Sequence, residues 1–267
     1  MNVKTALNWA SKKLINIPSN TLDAEILLAF VLKKDKVWLF TNLQKNISFL
    51  NLLKFKRLIN KRSKYFPVAY LTNHKEFYGL DFKINKNVLV PRPLTEDIIN
   101  KALKIIALNP KRPLTIADIG TGSGIIIISL AKKLSEQEDL NNFKFYASDI
   151  STSALKIAKY NAKKHNLQNN ISFLKGSLLK PFKNLKIDLI LTNLPYLTLN
   201  DFYKEKSIQQ EPKIALIGNF YEQLFLQIKK DLQKSKYLTN SPKDITVIYE
   251  DNQGINLLKF SNPKPSK

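Results

Sequence analysis

The chain has no cysteine and only two histidines, His74 and His165. Disulfides and thiolate metal sites are thereby excluded, and a histidine-built metal centre is not expected, so the chemistry reads as metal-free. No stretch approaches the roughly 18 uncharged apolar residues of a membrane helix. The most apolar one, around Ile125 to Leu130, is short and follows a glycine. The opening residues Met1 to Leu14 carry Lys4, Lys12 and Lys13 among scattered apolar side chains and lack the continuous apolar segment of a signal peptide, which predicts a cytoplasmic protein without a membrane partner. Acidic residues are scarce, 21 Asp and Glu against 43 Lys and Arg, for a formal net charge of +22. Clustered cations would release counterions from nucleic-acid phosphates. The cations here are mostly lysines spread along the whole length, beside many Asn and Ile, so the excess reads as compositional background and nucleic-acid binding stays open without being favoured. With 267 residues, 44% hydrophobic and 24% charged, the chain can build one catalytic domain plus a smaller one.

Residues 1–75 read as a small helical domain. Ser19 or Asn20 can cap a helix that turns Leu22, Ile26, Ala29 and Phe30 to one side, and Leu52, Phe55 and Ile59 form the apolar side of another that ends before Pro67. Residues 76–93 change to short β-prone runs, Phe77-Tyr78, Phe82, Ile84 and Val88-Leu89-Val90, predicting a hairpin or linker. Residues 94–267 form the second domain. A helix over Leu94 to Leu108 is followed by alternation: strands over Thr115–Asp118, Phe143–Ser148, Ile171–Leu174, Ile187–Thr192 and Ile245–Tyr249, with helices over Gly124–Leu134 and Thr152–Lys164 among them. Such alternation predicts an α/β fold with a parallel sheet covered on both faces and ligands at the carboxyl ends of its strands. Ser261 to Lys267, with Pro263 and Pro265, is expected to fray.

The segment Asp118-Ile119-Gly120-Thr121-Gly122-Ser123-Gly124 leaves a strand and enters a helix. Glycines there allow a tight turn and close approach to a ligand, while free N–H groups at the helix start favour an anionic group. The dinucleotide fingerprint needs its third glycine at position six, where Ile125 stands, and the Lys-Ser/Thr ending of a P-loop is missing. An acidic residue two before the first of three alternate glycines resembles motif I of class I methyltransferases. Asp149 closes the next strand, where a carboxylate can accept from both hydroxyls of a ribose; its competing reading is a cap for the following helix.

Asn193-Leu194-Pro195-Tyr196 closes another strand and resembles the (Asn/Asp/Ser)-Pro-Pro-(Tyr/Phe) motif of methyltransferases acting on nitrogens conjugated to a π system. The lone pair of such a nitrogen is delocalised and weakly nucleophilic. The Asn193 side-chain oxygen and the Leu194 carbonyl can accept its two N–H bonds as positive charge develops, Tyr196 can lie flat on the planar group, and Pro195 stiffens the loop. A strand-ending turn with a buried tyrosine is the bland alternative.

Over nearly its whole length the chain resembles the bacterial release factor glutamine methyltransferases. The resemblance is carried by Asp23 to Leu28, Pro67 to Thr72, Glu76 to Leu80, Val88 to Glu96 with its Pro91-Arg92-Pro93, the glycine loop, Asn193 to Tyr196, and Glu211 to Leu216. It implies a Rossmann-like class I methyltransferase domain behind a small N-terminal helical substrate-recognition domain. It also implies S-adenosylmethionine as cofactor, class I peptide-chain release factors as partners, and methylation of the glutamine in their Gly-Gly-Gln loop; a monomer is expected. By the same resemblance Asp118, Gly120, Thr121, Gly122, Ser123, Gly124, Asp149, Leu178 and Asn193 serve the cofactor. Asn193, Leu194, Pro195 and Tyr196 hold the glutamine, with Pro91, Arg92 and Pro93 beside it. The chain departs from the pattern where Leu194 replaces a proline, Ser177-Leu178 an acidic-aromatic pair bordering adenine, and Leu94 a glutamate, and where a glycine-rich stretch shrinks to Gly218. Ribosomal RNA adenine dimethyltransferases also write Asn-Leu-Pro-Tyr but carry their helical domain after the catalytic one; methylation of RNA adenine is the second reading, and a non-catalytic binding module with the same fold the third.

Overall fold

The computed structural model describes residues 1–109, 113–183, 185–235 and 244–261. The part of the expected frayed tail beyond Ser261 lies outside these residues. Contacts divide the chain into two compact units, one of residues 1–74 and 203–210, the other of residues 75–202 and 211–267.

The first unit holds α1 (Val3–Lys13), α2 (Asn20–Leu32), α3 (Lys36–Thr41), α4 (Phe49–Arg62) and α5 (Val68–Thr72). Asn2, Asp35 and Ser48 cap α1, α3 and α4 by accepting from the amides of Thr5, Trp38 and Asn51. In α2 the expected face holds at Ala29, which is buried, and fails at Leu22 and Phe30. Leu22 and Phe30 are 47% and 46% exposed, whereas Ala24, Leu27 and Leu28 are fully buried, and the cap residue Ser19 bonds the Asp23 carboxylate rather than a helix amide. This helix is apolar almost all round, so periodicity alone cannot choose the inward side. The choice is made by Asp23, which pairs with Arg62 of α4 at 2.6 Å with both side chains largely buried, and by packing against α1 and α4 together.

The second unit begins with a hairpin, β1 (His74–Phe77) and β2 (Leu80–Lys83), turned by Tyr78 and Gly79, both at positive φ. The expected β-run Val88 to Val90 is not a strand: the Val90 amide donates to Glu211 Oε2 at 2.9 Å instead of to a neighbouring strand. A 3-10 turn over Pro93–Thr95 precedes α6 (Glu96–Leu108). There follow β3 (Leu114–Ile119), α7 (Ile125–Ser135), β4 (Phe143–Asp149), α8 (Thr152–Lys164), β5 (Ile171–Lys175), β6 (Leu189–Thr192), α9 (Leu199–Lys204), α10 (Tyr221–Ser235), β7 (Asp244–Asp251) and β8 (Gly254–Ser261). The sheet order is β5-β4-β3-β6-β7-β8, with every neighbouring pair parallel except β7 and β8. The parallel strands behave as predicted; the antiparallel edge β8 was not foreseen, because Gly254 to Ser261 shows no clean alternation.

The chain runs outward from β3 through β4 to β5 and then returns to β6 on the other side of β3. Strand order reverses at that point, so the loops after β3 and β6 diverge and leave a crevice. Thr192 locks the two strand ends together by donating from its buried hydroxyl to the Ile119 carbonyl at 2.8 Å. Among the described residues no helix is long and apolar enough to cross a membrane.

Candidate active site

The crevice is a cavity of about 220 Å³. Its first wall is the loop leaving β3. The amides of Gly120 and Thr121 both donate to the Ser148 carbonyl of β4, at 2.9 and 2.8 Å, which turns the chain sharply at the strand end. Gly122 has φ +55°, and a Cβ built there would meet nothing within 4 Å, so the backbone faces open space where a ligand can press against it. Gly124 opens α7 at φ +84°, and a Cβ would stand 2.7 Å from Ile128 and 3.2 Å from Ala158; glycine there serves close packing of α7 on α8. Gly120, Thr121, Gly122 and Ser123 line the cavity, whereas Gly124 lies behind it.

Asp118 is fully buried beneath this loop and is not part of the cavity wall. Its Oδ2 accepts from the Thr121 hydroxyl at 2.6 Å, while its Oδ1 has no partner in hydrogen-bonding geometry. Burial pushes its pKa up to about 7 against the opposing pull of the Thr121 bond, and the charge of Asp149 adds to the rise. Asp149 does line the cavity. Its Oδ2 accepts from the Gly122 amide at 2.9 Å and its Oδ1 from the Ser151 amide at 2.8 Å. The cap of α8 is Ser151, so the capping alternative for Asp149 does not hold. Burial also raises Asp149, with the Ser151, Gly122 and Ile150 amides pulling the other way. Ser177 and Leu178 form a further part of the wall; Leu178 is nearly buried and held at φ +50°, a strained conformation for a branched side chain.

The second wall comes from the end of β6. Asn193, Leu194 and Pro195 line the cavity; Tyr196 does not. The Leu194 side chain packs on Gly120, where a Cβ would come within 3.0 Å of it. Its amide donates to the Tyr221 hydroxyl at 2.9 Å, and that hydroxyl donates in turn to the main-chain carbonyl of Glu250. Asn193 Nδ2 donates to the Thr95 hydroxyl at 3.3 Å, and Thr95 donates to Glu250 Oε2 at 2.6 Å. Burial, and after it the charge of Glu250, raises the pKa of the Tyr196 hydroxyl. Burial lifts the Glu250 carboxyl above its usual range, and the Thr95 bond, with Asn193 and Tyr196 close by, opposes the rise.

The third wall is the proline-arginine-proline loop. Pro91 and Arg92 line the cavity, whereas Pro93 starts the 3-10 turn outside it. Arg92 pairs with Glu211 Oε1 at 2.5 Å, and the other oxygen of the same buried carboxylate accepts from Val90. A planar guanidinium partnered in this way is held in one direction.

Several of these residues escaped the sequence reading: Thr95, Glu211, Tyr221 and Glu250. Glu250 was accessible in principle, since it closes a strand as Asp118 and Asp149 do. The chain is strongly basic overall, yet the ends of β3, β4 and β7 each carry a buried or half-buried carboxyl group. Of these only Asp149 lines the cavity, where it fits a ligand that donates hydrogen bonds or carries positive charge, and the open backbone at Gly122 leaves room for it.

Two family models match the chain, a PrmC N-terminal domain over residues 5–72 and a methyltransferase domain over residues 110–251. Among curated proteins, a release factor glutamine methyltransferase of Dictyoglomus turgidum is 37% identical over 85% of this chain and 81% of its own. One of Clostridium acetobutylicum is 37% identical over 79% of this chain and 74% of its own. Likeness to solved structures is looser: the hMettl16 catalytic domain in complex with an RNA hairpin is 17% identical over 78% of this chain and 69% of that one, with a TM-score of 0.48.

Proposed function

The chain belongs to the release factor glutamine methyltransferase family, and from that premise we propose that Asn193 and Leu194 hold the side-chain amide of a release factor glutamine while its nitrogen takes a methyl group. The enzyme is a methyltransferase dependent on S-adenosylmethionine, which when bound supplies an electrophilic methyl on a positively charged sulfur. The observation that carries the reading is the juxtaposition of Asn193 with the glycine loop on one cavity, at the ends of adjacent strands.

Gly120 to Ser123 and Asp149 would hold the cofactor, with the open backbone at Gly122 allowing close approach and Asp149 keeping one lone pair per oxygen free beyond its amide bonds. Asp118 acts from beneath: a cationic group above it would favour its ionised form. Leu178 gives the purine an apolar wall. On the acceptor side the Asn193 oxygen and the Leu194 carbonyl take the two N–H bonds of the glutamine amide, lowering the cost of charge developing on its nitrogen. The bound cofactor would supply the methyl to the nitrogen so held, and Asn193 and Leu194 would keep that nitrogen in place until its extra proton is lost to solvent. Orientation supplies much of the rate gain, which is the part played by the Glu211-held Arg92 loop and by Pro195. The residues of the helical unit would recognise the body of the release factor.

Incubation with methyl-labelled cofactor, a release factor and ribosomal RNA in separate reactions tests this. Label is expected on the release factor and to be lost when its Gly-Gly-Gln glutamine is replaced; label entering RNA alone would overturn the proposal. Asn193→Ala is expected to abolish most turnover while calorimetric cofactor binding survives, because its amide serves the acceptor.

A further inference from the structure

A side-chain amide has two chemically opposite ends of nearly equal size. Asn193 can assist a target N–H only with its oxygen facing the cavity; a half-turn about its last bond would present N–H to N–H. The surroundings of Asn193 are not neutral to this choice. Glu250 is 2% exposed, and its carboxylate accepts from the Thr95 hydroxyl and lies beside Asn193 and Tyr196. An ionised carboxylate can only accept, and the Thr95 hydroxyl, having donated to it at 2.6 Å, has only lone pairs left for Asn193. The Thr95 hydroxyl, oriented by Glu250, thus demands the NH₂ end.

We infer that Glu250, acting with Thr95, is a positioning residue that sets the polarity of the acceptor site, turning Asn193 Nδ2 inward and its oxygen toward the target nitrogen. This rests on Asn193 being the group that receives that nitrogen. The same residue anchors the motif once more: its main-chain carbonyl takes the Tyr221 hydroxyl, which fixes the peptide between Asn193 and Leu194. Glu250 does not line the cavity, so its influence passes through these neighbours.

The discriminating variant is Glu250→Gln, which keeps shape but offers both a donor and an acceptor and so allows the flipped amide. With a release factor as substrate, kcat is expected to fall on the order of 100-fold, the scale of a misplaced reacting group, with cofactor affinity and melting temperature unchanged. Thr95→Ser, which retains the hydroxyl, is expected to keep activity, and Thr95→Val to lose it. An unaltered kcat in Glu250→Gln, or a loss matched by weaker cofactor binding or a lower melting temperature, would overturn the inference. A second measurement needs no substrate: the Asn193 side-chain amide protons, assigned by their disappearance in Asn193→Asp, are expected to be protected from solvent exchange in the native protein and exposed in Glu250→Gln. Equal protection in both would also overturn it. Were the native protein inactive on release factors, the proposed function would fall while the amide signal still judged the relay.

Discussion

Asn161 on α8 offers the sharpest test of how the glycine loop is held. Its side chain is completely buried and makes three hydrogen bonds: Oδ1 accepts from the Lys83 amide at 2.8 Å, and Nδ2 donates to the Lys83 carbonyl at 3.1 Å and the Ser123 carbonyl at 2.9 Å. One amide therefore staples strand β2 to the glycine loop. Asn161→Ala strands three backbone groups, each costing about 1–3 kcal/mol if left unpaired. Lys83 is exposed and can recruit water, so most of its share is recovered, whereas Ser123 is buried and cannot do the same. Alanine returns roughly 0.5 kcal/mol in helix propensity. The net loss should be about 3 kcal/mol, a fall of roughly 6–12 °C in melting temperature for a protein of this size. Scanning calorimetry measures it, and titration with S-adenosylmethionine should show weaker binding as the Ser123 carbonyl loses its restraint. Asn161→Asp separates hydrogen bonding from shape: it sets a carboxylate oxygen against two carbonyls and should be worse than alanine despite the closer fit. A melting temperature within about 2 °C of native in Asn161→Ala, or Asn161→Asp proving the milder of the two, would refute the reasoning.

Two further expectations concern the same loop. Because burial raises the folded-state pKa of Asp118 from its ordinary 3.8 to about 7, its contribution to stability is fully present below about pH 4 and is lost as pH rises through 7; at most about 4 kcal/mol is at stake. Urea unfolding without cofactor should show a decline between pH 5 and 8 that is missing in Asp118→Asn, and parallel pH dependence of the two proteins would contradict it. Gly122→Ala meets no atom, so it should fold with only about 1–2 kcal/mol of strain and lose cofactor affinity. Gly124→Ala should instead lose stability through its clash with Ile128; a reversal of these two phenotypes, read by calorimetry with and without cofactor, would count against the assigned geometry.

The sequence disclosed what local chemistry dictates. Three alternate glycines after an acidic residue, and a proline-bearing loop after an apolar strand, need no knowledge of distant partners, and both lie where expected at the ends of β3 and β6. What depended on pairing across the chain stayed hidden. Val88 to Val90 carries strand propensity, yet its destination was decided by Glu211, more than a hundred residues on. The inward face of α2 was decided by Asp23 finding Arg62. Thr95 reads as an ordinary helix-start residue until Glu250 and Asn193 are brought to either side of it.

The acidic strand tips in a basic protein bear on turnover as well as binding. Each catalytic cycle erases one positive charge, because the donor's sulfur arrives as a cation and departs neutral. If the cleft holds the donor as proposed, Asp149 at its wall would grip the fresh molecule more firmly than the spent one. Electrostatics would thereby favour exchange of exhausted donor for new.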